Sequence, residues 1–258
     1  MDQETLSTYL QRVETSLEET LLNEQVKSRI SLYTHVCEGF VGKGLGMRIL
    51  LSHYYIEKYV AIDKNIKSIT RVLEENPAFR PRVLPIEGDL FHESTIQACS
   101  PYMKNSLFLM IGQLHHLQDR EFLHLIKNVP ADRFLILERC MDENLGEDVH
   151  NYMLLHRFEE ILQRIKKEPV ETLRYLYEYT SLFESNNITI ELAKNVERGP
   201  FCLPDPIVTQ YIDSINGEID SIEGESIREA LKKELSFLIK KIDRKMTFPP
   251  LYVMILKI

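Results

Sequence analysis

Apolar positions change period repeatedly along this chain. Over residues 3–30, Leu6, Leu10, Val13, Leu17, Leu21 and Leu22 recur at helical spacing with acids between them, which predicts a helix. Short apolar runs then alternate with helical patterns. YTHVCEGF (33–40), KYVAID (58–63), RVLPIEGD (82–89), SLFLMIG (106–112) and RFLILE (133–138) read as strands. LGMRILLSHYY (45–55), NIKSITRVLEEN (65–76), HESTIQACS (92–100) and DREFLHLIKNV (119–129) read as helices. Pro77 marks the stop of the second of these, and Asp119 is placed as the N-cap of the last. SLFLMIG is the most apolar run, as expected of a strand buried on both faces.

Strands alternating with helices imply βαβ units, a mostly parallel sheet and helices on both of its faces. Ligands of such sheets bind outside the carboxyl ends of the strands. Glu38, Asp63, Asp89, Gln113 and Glu138 fall at those ends.

The alternation stops after residue 145. VHNYMLLHRFEEILQRIKK (149–167) is an amphipathic helix by its spacing, ETLRYLYEYTSLFE (171–184) is a tyrosine-rich helical segment, and NITIELAKNV (187–196) is a strand. RGPFCLPDP (198–206) is a proline-rich connection, and residues 207–225 receive no assignment. SIREALKKELSFLIKKIDRK (226–245) is again amphipathic, and LYVMILKI (251–258) closes the chain as an apolar strand. The expected division is a helical cap (1–30), an α/β ligand-binding core (31–148), a helical insertion or lid (149–225), and a helix and strand (226–258) that complete the core.

Composition narrows the class. At 258 residues, 44% of them hydrophobic, the chain has enough for one large α/β domain with an elaborated cap. No apolar run reaches the roughly 18 residues of a membrane span, and MDQETLSTYL lacks the basic start and apolar stretch of a signal peptide. We read the protein as soluble and cytoplasmic, with no membrane partner. Cys37, Cys99, Cys140 and Cys202 are isolated from one another, which argues against a zinc knuckle or a redox pair; no metal is expected. The net charge of -8 opposes binding of a phosphate backbone. The basic runs RIKK (164–167) and KKIDRK (240–245) fit solvated helix faces.

Candidate chemistry starts in Glu38-Gly39-Phe40-Val41-Gly42-Lys43-Gly44-Leu45-Gly46, between a predicted strand and a predicted helix. Glycines let a ligand approach the backbone, and a helix N-terminus offers unpaired N–H groups. The spacing fits neither G-x-G-x-x-G, because the third glycine comes one position early, nor a phosphate loop, because Leu45 follows Lys43-Gly44.

On these residues the chain resembles the class I S-adenosylmethionine-dependent methyltransferases, whose first strand ends in an acid followed by G-x-G-x-G. Glu38 and the glycines that follow, Gly39, Gly42 and Gly44, resemble that loop; either Phe40 stands where the family has its first glycine, or the loop carries one extra residue after Gly39. Asp63, with Lys64 after it, matches the family's ribose-binding acid. Asp89, with Leu90 after it, matches the acid that contacts the adenine amine. Gln113 opens GQLHHLQDREF (112–122), which is similar to the family's strand-four exit, and PPLYVMILK is similar to its last strand. The resemblance spans 31–145 and 226–258. It implies a Rossmann-like methyltransferase fold with a seven-stranded, mostly parallel sheet and a helical cap, S-adenosylmethionine as cofactor, and a small-molecule acceptor.

His115 and His116 lie beside the expected cleft and are the candidate catalytic groups. Tyr175, Tyr177 and Tyr179 either line an acceptor pocket or pack the lid. The motif N/D-P-P-F/Y of base methylation is absent after strand four, which argues against a nucleic-acid acceptor. Two alternatives stay open: a methyltransferase-like binding or scaffold protein without turnover, motivated by Phe40, and a protein or RNA methyltransferase.

Overall fold

A computed structural model describes residues 3–142, 146–168, 170, 172–196, 201–242 and 246–258. In chain order the elements are α1 (Gln3–Leu21), α2 (Glu24–Ile30), β1 (His35–Gly39), α3 (Leu45–His53), β2 (Lys58–Asp63) and α4 (Lys67–Glu75). Then come β3 (Val83–Glu87), α5 (Glu93–Met103), β4 (Leu107–Ile111), α6 (Asp119–Asn128) and β5 (Arg133–Arg139). The remainder is α7 (Glu147–Lys166), α8 (Leu176–Ser185), β6 (Thr189–Asn195), β7 (Phe201–Cys202), α9 (Asp205–Asp220), α10 (Glu225–Ile242), β8 (Thr247–Phe248) and β9 (Leu251–Lys257).

Among the described residues the main sheet has seven strands in the order β3-β2-β1-β4-β5-β9-β6. The β1–β2, β2–β3, β1–β4 and β4–β5 pairs are parallel, and β6–β9 is antiparallel. This is the α/β, Rossmann-like architecture expected from the alternation. One face of the sheet buries Val36, Tyr59, Ala61, Leu107, Leu109, Leu135, Val253 and Ile255 with Leu17, Leu21, Val26, Ile30, Met47, Leu50 and Ile69 from the helices. The alternate residues Cys37, Val60, Ile62, Phe108, Met110, Phe134 and Ile136 are equally buried, so both faces are covered. Cys37 Sγ contacts the Tyr102 carbonyl of α5 at 3.6 Å, and Phe122 of α6 packs on Phe183 of α8 with ring centroids 5.3 Å apart.

The chain divides into two compact units. One comprises Glu14–Glu138, Tyr177–Glu197 and Leu251–Ile258, and the other Met1–Val13, Arg139–Leu176 and Arg198–Pro250. The second unit has its own apolar core, in which α7, α9 and α10 bury Leu155, Phe158, Leu162, Val208, Ile212, Ile215, Ile219, Leu235 and Ile242. Among the described residues no helix is long and apolar enough to cross a membrane.

Several local expectations are corrected. The helix expected over 3–30 is two helices, because Asn23 turns the chain and its side chain accepts from the Gln25 N–H at 3.1 Å. The cap of α6 is Gln118 rather than Asp119: Gln118 and Glu121 form a reciprocal capping box, which leaves Asp119 as the first helical residue. Residues 205–220, within and beyond the expected connection, form α9, with Val208, Ile212, Ile215 and Ile219 on its buried face. The tyrosine-rich helix starts only at Leu176, and Tyr175 instead bridges to Met141. The expected helix end at 243–245 and the side chains of Leu6 and Leu10 lie outside the described residues.

Candidate cofactor and active site

The order of the strands reverses between β1 and β4, the kind of switch point at which α/β sheets bind ligands. The glycine loop leaves β1 beside that point. Phe40 N–H donates to the Ile62 carbonyl at 2.9 Å, and Gly44 N–H donates to Val41 O at 2.9 Å, folding the loop onto the end of β2. Gly42 (φ 54°) and Gly44 (φ 72°) both adopt left-handed backbone. Asp63, half-buried at the end of β2, holds this loop with one oxygen, accepting from Gly42 N–H at 2.9 Å. Its other oxygen accepts from Asn65 N–H at 2.9 Å.

Glu38 is buried beneath the loop, at 2% exposure. Its Oε2 accepts from Tyr59 O–H at 2.6 Å, and Met47 N–H also donates to the carboxylate. Burial pushes its pKa up to about 8, against the opposing pull of the Tyr59 and Met47 hydrogen bonds. Gly46 is required by this arrangement, because a Cβ there would lie 2.5 Å from Glu38 Oε1. Glu38 therefore braces the loop from inside. Gly39 is required by Leu90, whose Cδ1 would stand 2.6 Å from an added Cβ; Leu90 is buried and turned into the core.

Lys64, exposed after Asp63, reaches across to Asp89 Oδ2 at 3.0 Å. Burial acts to raise the Asp89 pKa, but the Phe91 N–H and the Lys64 ammonium outweigh it and hold it below the ordinary value. Phe40 takes φ 60°, a conformation that bulky side chains rarely adopt. Its ring meets that of Phe91 with centroids 6.0 Å apart and planes tilted by 40°. The left-handed backbone costs about 1–2 kcal/mol and an aromatic pair returns about 0.5–1.5 kcal/mol, so the contact at best offsets the strain.

At the exit of β4, Gly112 N–H continues the ladder to the Leu137 carbonyl at 2.7 Å. Gln113 is half-buried and opens a single tight turn, Leu114–His116, its carbonyl accepting from His116 N–H at 3.2 Å. Glu138, buried at the end of β5, accepts from Leu114 N–H through Oε2 at 2.6 Å and meets His115 Nδ1 through Oε1 at 2.9 Å. A carboxylate accepts only, so Nδ1 carries the proton and Nε2 of the neutral ring is the acceptor. His116 is exposed, with its ring 3.9 Å from that of His115. Tyr179 is buried on Phe183 while Tyr177 is exposed, so the three tyrosines do not share one wall.

The sequence matches no protein-family model and no curated protein. Solved structures do match. A cyclopropane-fatty-acyl-phospholipid synthase-like protein from Lactobacillus casei ATCC 334 superposes with a TM-score of 0.68 over 96% of this chain and 92% of that one, at 13% identity. The mitomycin 7-O-methyltransferase MmcR gives 0.54 over 95% of this chain and 54% of that one, also at 13% identity. Geranyl diphosphate C-methyltransferase from Streptomyces coelicolor A3(2), solved with Mg2+, geranyl diphosphate and S-adenosyl-L-homocysteine, gives 0.52 over 96% and 81%, at 9% identity. The chain has the class I methyltransferase fold.

Within that fold, the residues expected at the site stand along the carboxyl ends of the strands in three groupings. Asp63, Gly42 and Gly44 join through the loop, Lys64 joins Asp89, and His115 joins Glu138. Glu38 and Leu90 point inward instead. In the sequence Glu138 is recognisable only as an acid at a strand end. The signal that pairs it is the β4–β5 register, in which Ile111 lies opposite Leu137. Phe91 and Tyr59 belong to no recognisable spacing in the sequence.

Proposed function

We propose that the chain is an S-adenosylmethionine-dependent methyltransferase acting on a small molecule. The observation that carries this reading is the glycine loop after β1 folded onto the Asp63 carboxylate at the end of β2, beside the switch point of the sheet. Asp63 is half-buried with its carboxylate at the strand end, which suits paired hydroxyls of a ribose. Asp89, held ionised, suits an amine donor on a purine. The bound donor supplies an activated methyl group on a sulfonium centre.

The fold does not choose the methylated atom: one neighbour is named for oxygen and another for carbon. The His115–Glu138 pair favours an acceptor whose proton must be removed. Glu138 orients the His115 ring through Nδ1, and the imidazole would take the acceptor's proton; bound S-adenosylmethionine would supply the methyl group and leave as S-adenosylhomocysteine. The net charge of -8 and the pairing of Lys166 with Glu168 at 3.1 Å support a small molecule over a nucleic acid. Three buried cysteines, Cys37, Cys99 and Cys140, and the exposed Cys202 suit a reducing, cytoplasmic compartment.

Thermal unfolding with ligand tests the proposal. S-adenosylhomocysteine at a hundred times its dissociation constant adds roughly 2.7 kcal/mol, NAD adds nothing, and Asp63→Ala abolishes the gain. Stabilisation by NAD alone, or an undiminished gain in the variant, overturns it. A binding protein without turnover is the second reading, favoured by Phe40 in its left-handed conformation at a glycine position. Release of S-adenosylhomocysteine from mixtures of acceptor classes separates the two.

A further inference from the structure

The sheet places β2 between β1 and β3. Phe40 follows β1 and Phe91 follows β3, yet their rings meet at 6.0 Å. The pair therefore spans the end of β2, where Asp63 sits, and both rings are half-buried rather than enclosed. Phe40 is anchored through its N–H to Ile62 O and Phe91 through its N–H to Asp89 Oδ1 at 3.0 Å. Glycine at position 40 would make the same backbone bond without strain. A ring kept there against the backbone preference points to a use for the ring.

We infer that Phe40 and Phe91 form an aromatic clasp against which the nucleobase of the cofactor stacks, a specificity determinant of the site. The inference rests on the cofactor reading above. Asp63 and Asp89 flank the clasp with acceptors for ribose hydroxyls and for an exocyclic amine. The rings pack on each other, and the outer surface of the pair supplies a stacking face that carboxylates cannot; base stacking on aromatic side chains is a strong, shape-tolerant contact. Selectivity follows: an adenosine fragment engages the clasp and a methionine fragment does not.

Calorimetry on the full chain tests this with S-adenosylhomocysteine, adenosine and methionine. Phe40→Gly and Phe91→Ala each weaken the first two ligands by about tenfold or more. Phe40→Gly leaves the ligand-free melting temperature unchanged or raised, because strain is relieved; a merely structural ring would lower it. The chain has no tryptophan, so Phe40→Trp places a single reporter in the clasp. Its emission responds to S-adenosylhomocysteine and adenosine but not to methionine. Binding by both truncated variants within twofold of the parent, or an adenosine-blind reporter in a protein that binds S-adenosylhomocysteine, overturns the clasp alone. Failure of the parent chain to bind S-adenosylhomocysteine overturns the cofactor reading and the clasp with it.

Discussion

Two buried carboxylates at strand ends have acquired different tasks from their neighbours. Glu38 is the structural one. Its pKa rises from 4.5 to about 8, so between these values the folded chain binds a proton that the unfolded chain has lost. Stability from this group is fully present below about pH 4.5 and is lost as the pH rises through about 8. Glu38→Gln removes that dependence: the variant matches or trails the parent at pH 5 and exceeds it in melting temperature at pH 9. Parallel melting curves across that range would refute the assignment. Glu138 is the positioning one. In Glu138→Gln the Leu114 N–H retains the amide oxygen and turns the amide NH2 toward His115 Nδ1, which must then accept. Nitrogen-15 NMR then detects the proton on Nε2 instead of Nδ1, and turnover of the acceptor found by the release screen falls about 10²–10⁴-fold, the usual contribution of a general base. An unchanged tautomer would show that Glu138 does not set it.

At the scale of elements, the close seating of α3 on β1 decides the loop. Gly46 in the first turn of α3 lies directly against Glu38, and Ile111 of β4 presses from beside it, 2.6 Å from an added Cβ. Glu38 is tied by Tyr59 and cannot yield easily. Gly46→Ala therefore costs about 1–3 kcal/mol as an overpacked contact, measured by denaturant titration. A neutral or stabilising outcome would mean that α3 moves freely off the strand. Element positions were mostly legible beforehand because buried parallel strands are continuous apolar runs and their helices are amphipathic, both local patterns. β2 occupies the residues its apolar run marks, 58–63. α9 is not legible in the same way because Pro204 and Pro206 read as a connection, although Pro206 stands within the first turn of the helix, where proline is tolerated. The break at Asn23 is hidden by the leucine spacing of α1, which runs on to Leu22, and its cap is a side-chain hydrogen bond.

For the molecule as a whole, the sequence by itself determined the class: alternating runs, acids at strand ends, and a glycine loop where a helix starts. Each is encoded within a few consecutive residues by the periods of helix and strand. Only the tertiary structure decided which of those residues meet. Tyr59 reaches Glu38 across 21 positions and Glu138 reaches His115 across 23, through parallel neighbours whose order no local pattern states. The same holds for Phe40 and Phe91, which meet across the end of an intervening strand. It holds too for α10, which packs with α7 and α9 because its apolar face finds theirs. Strand order and helix partnership are set by the burial of distant apolar faces against one another, a global balance that short-range spacing does not carry.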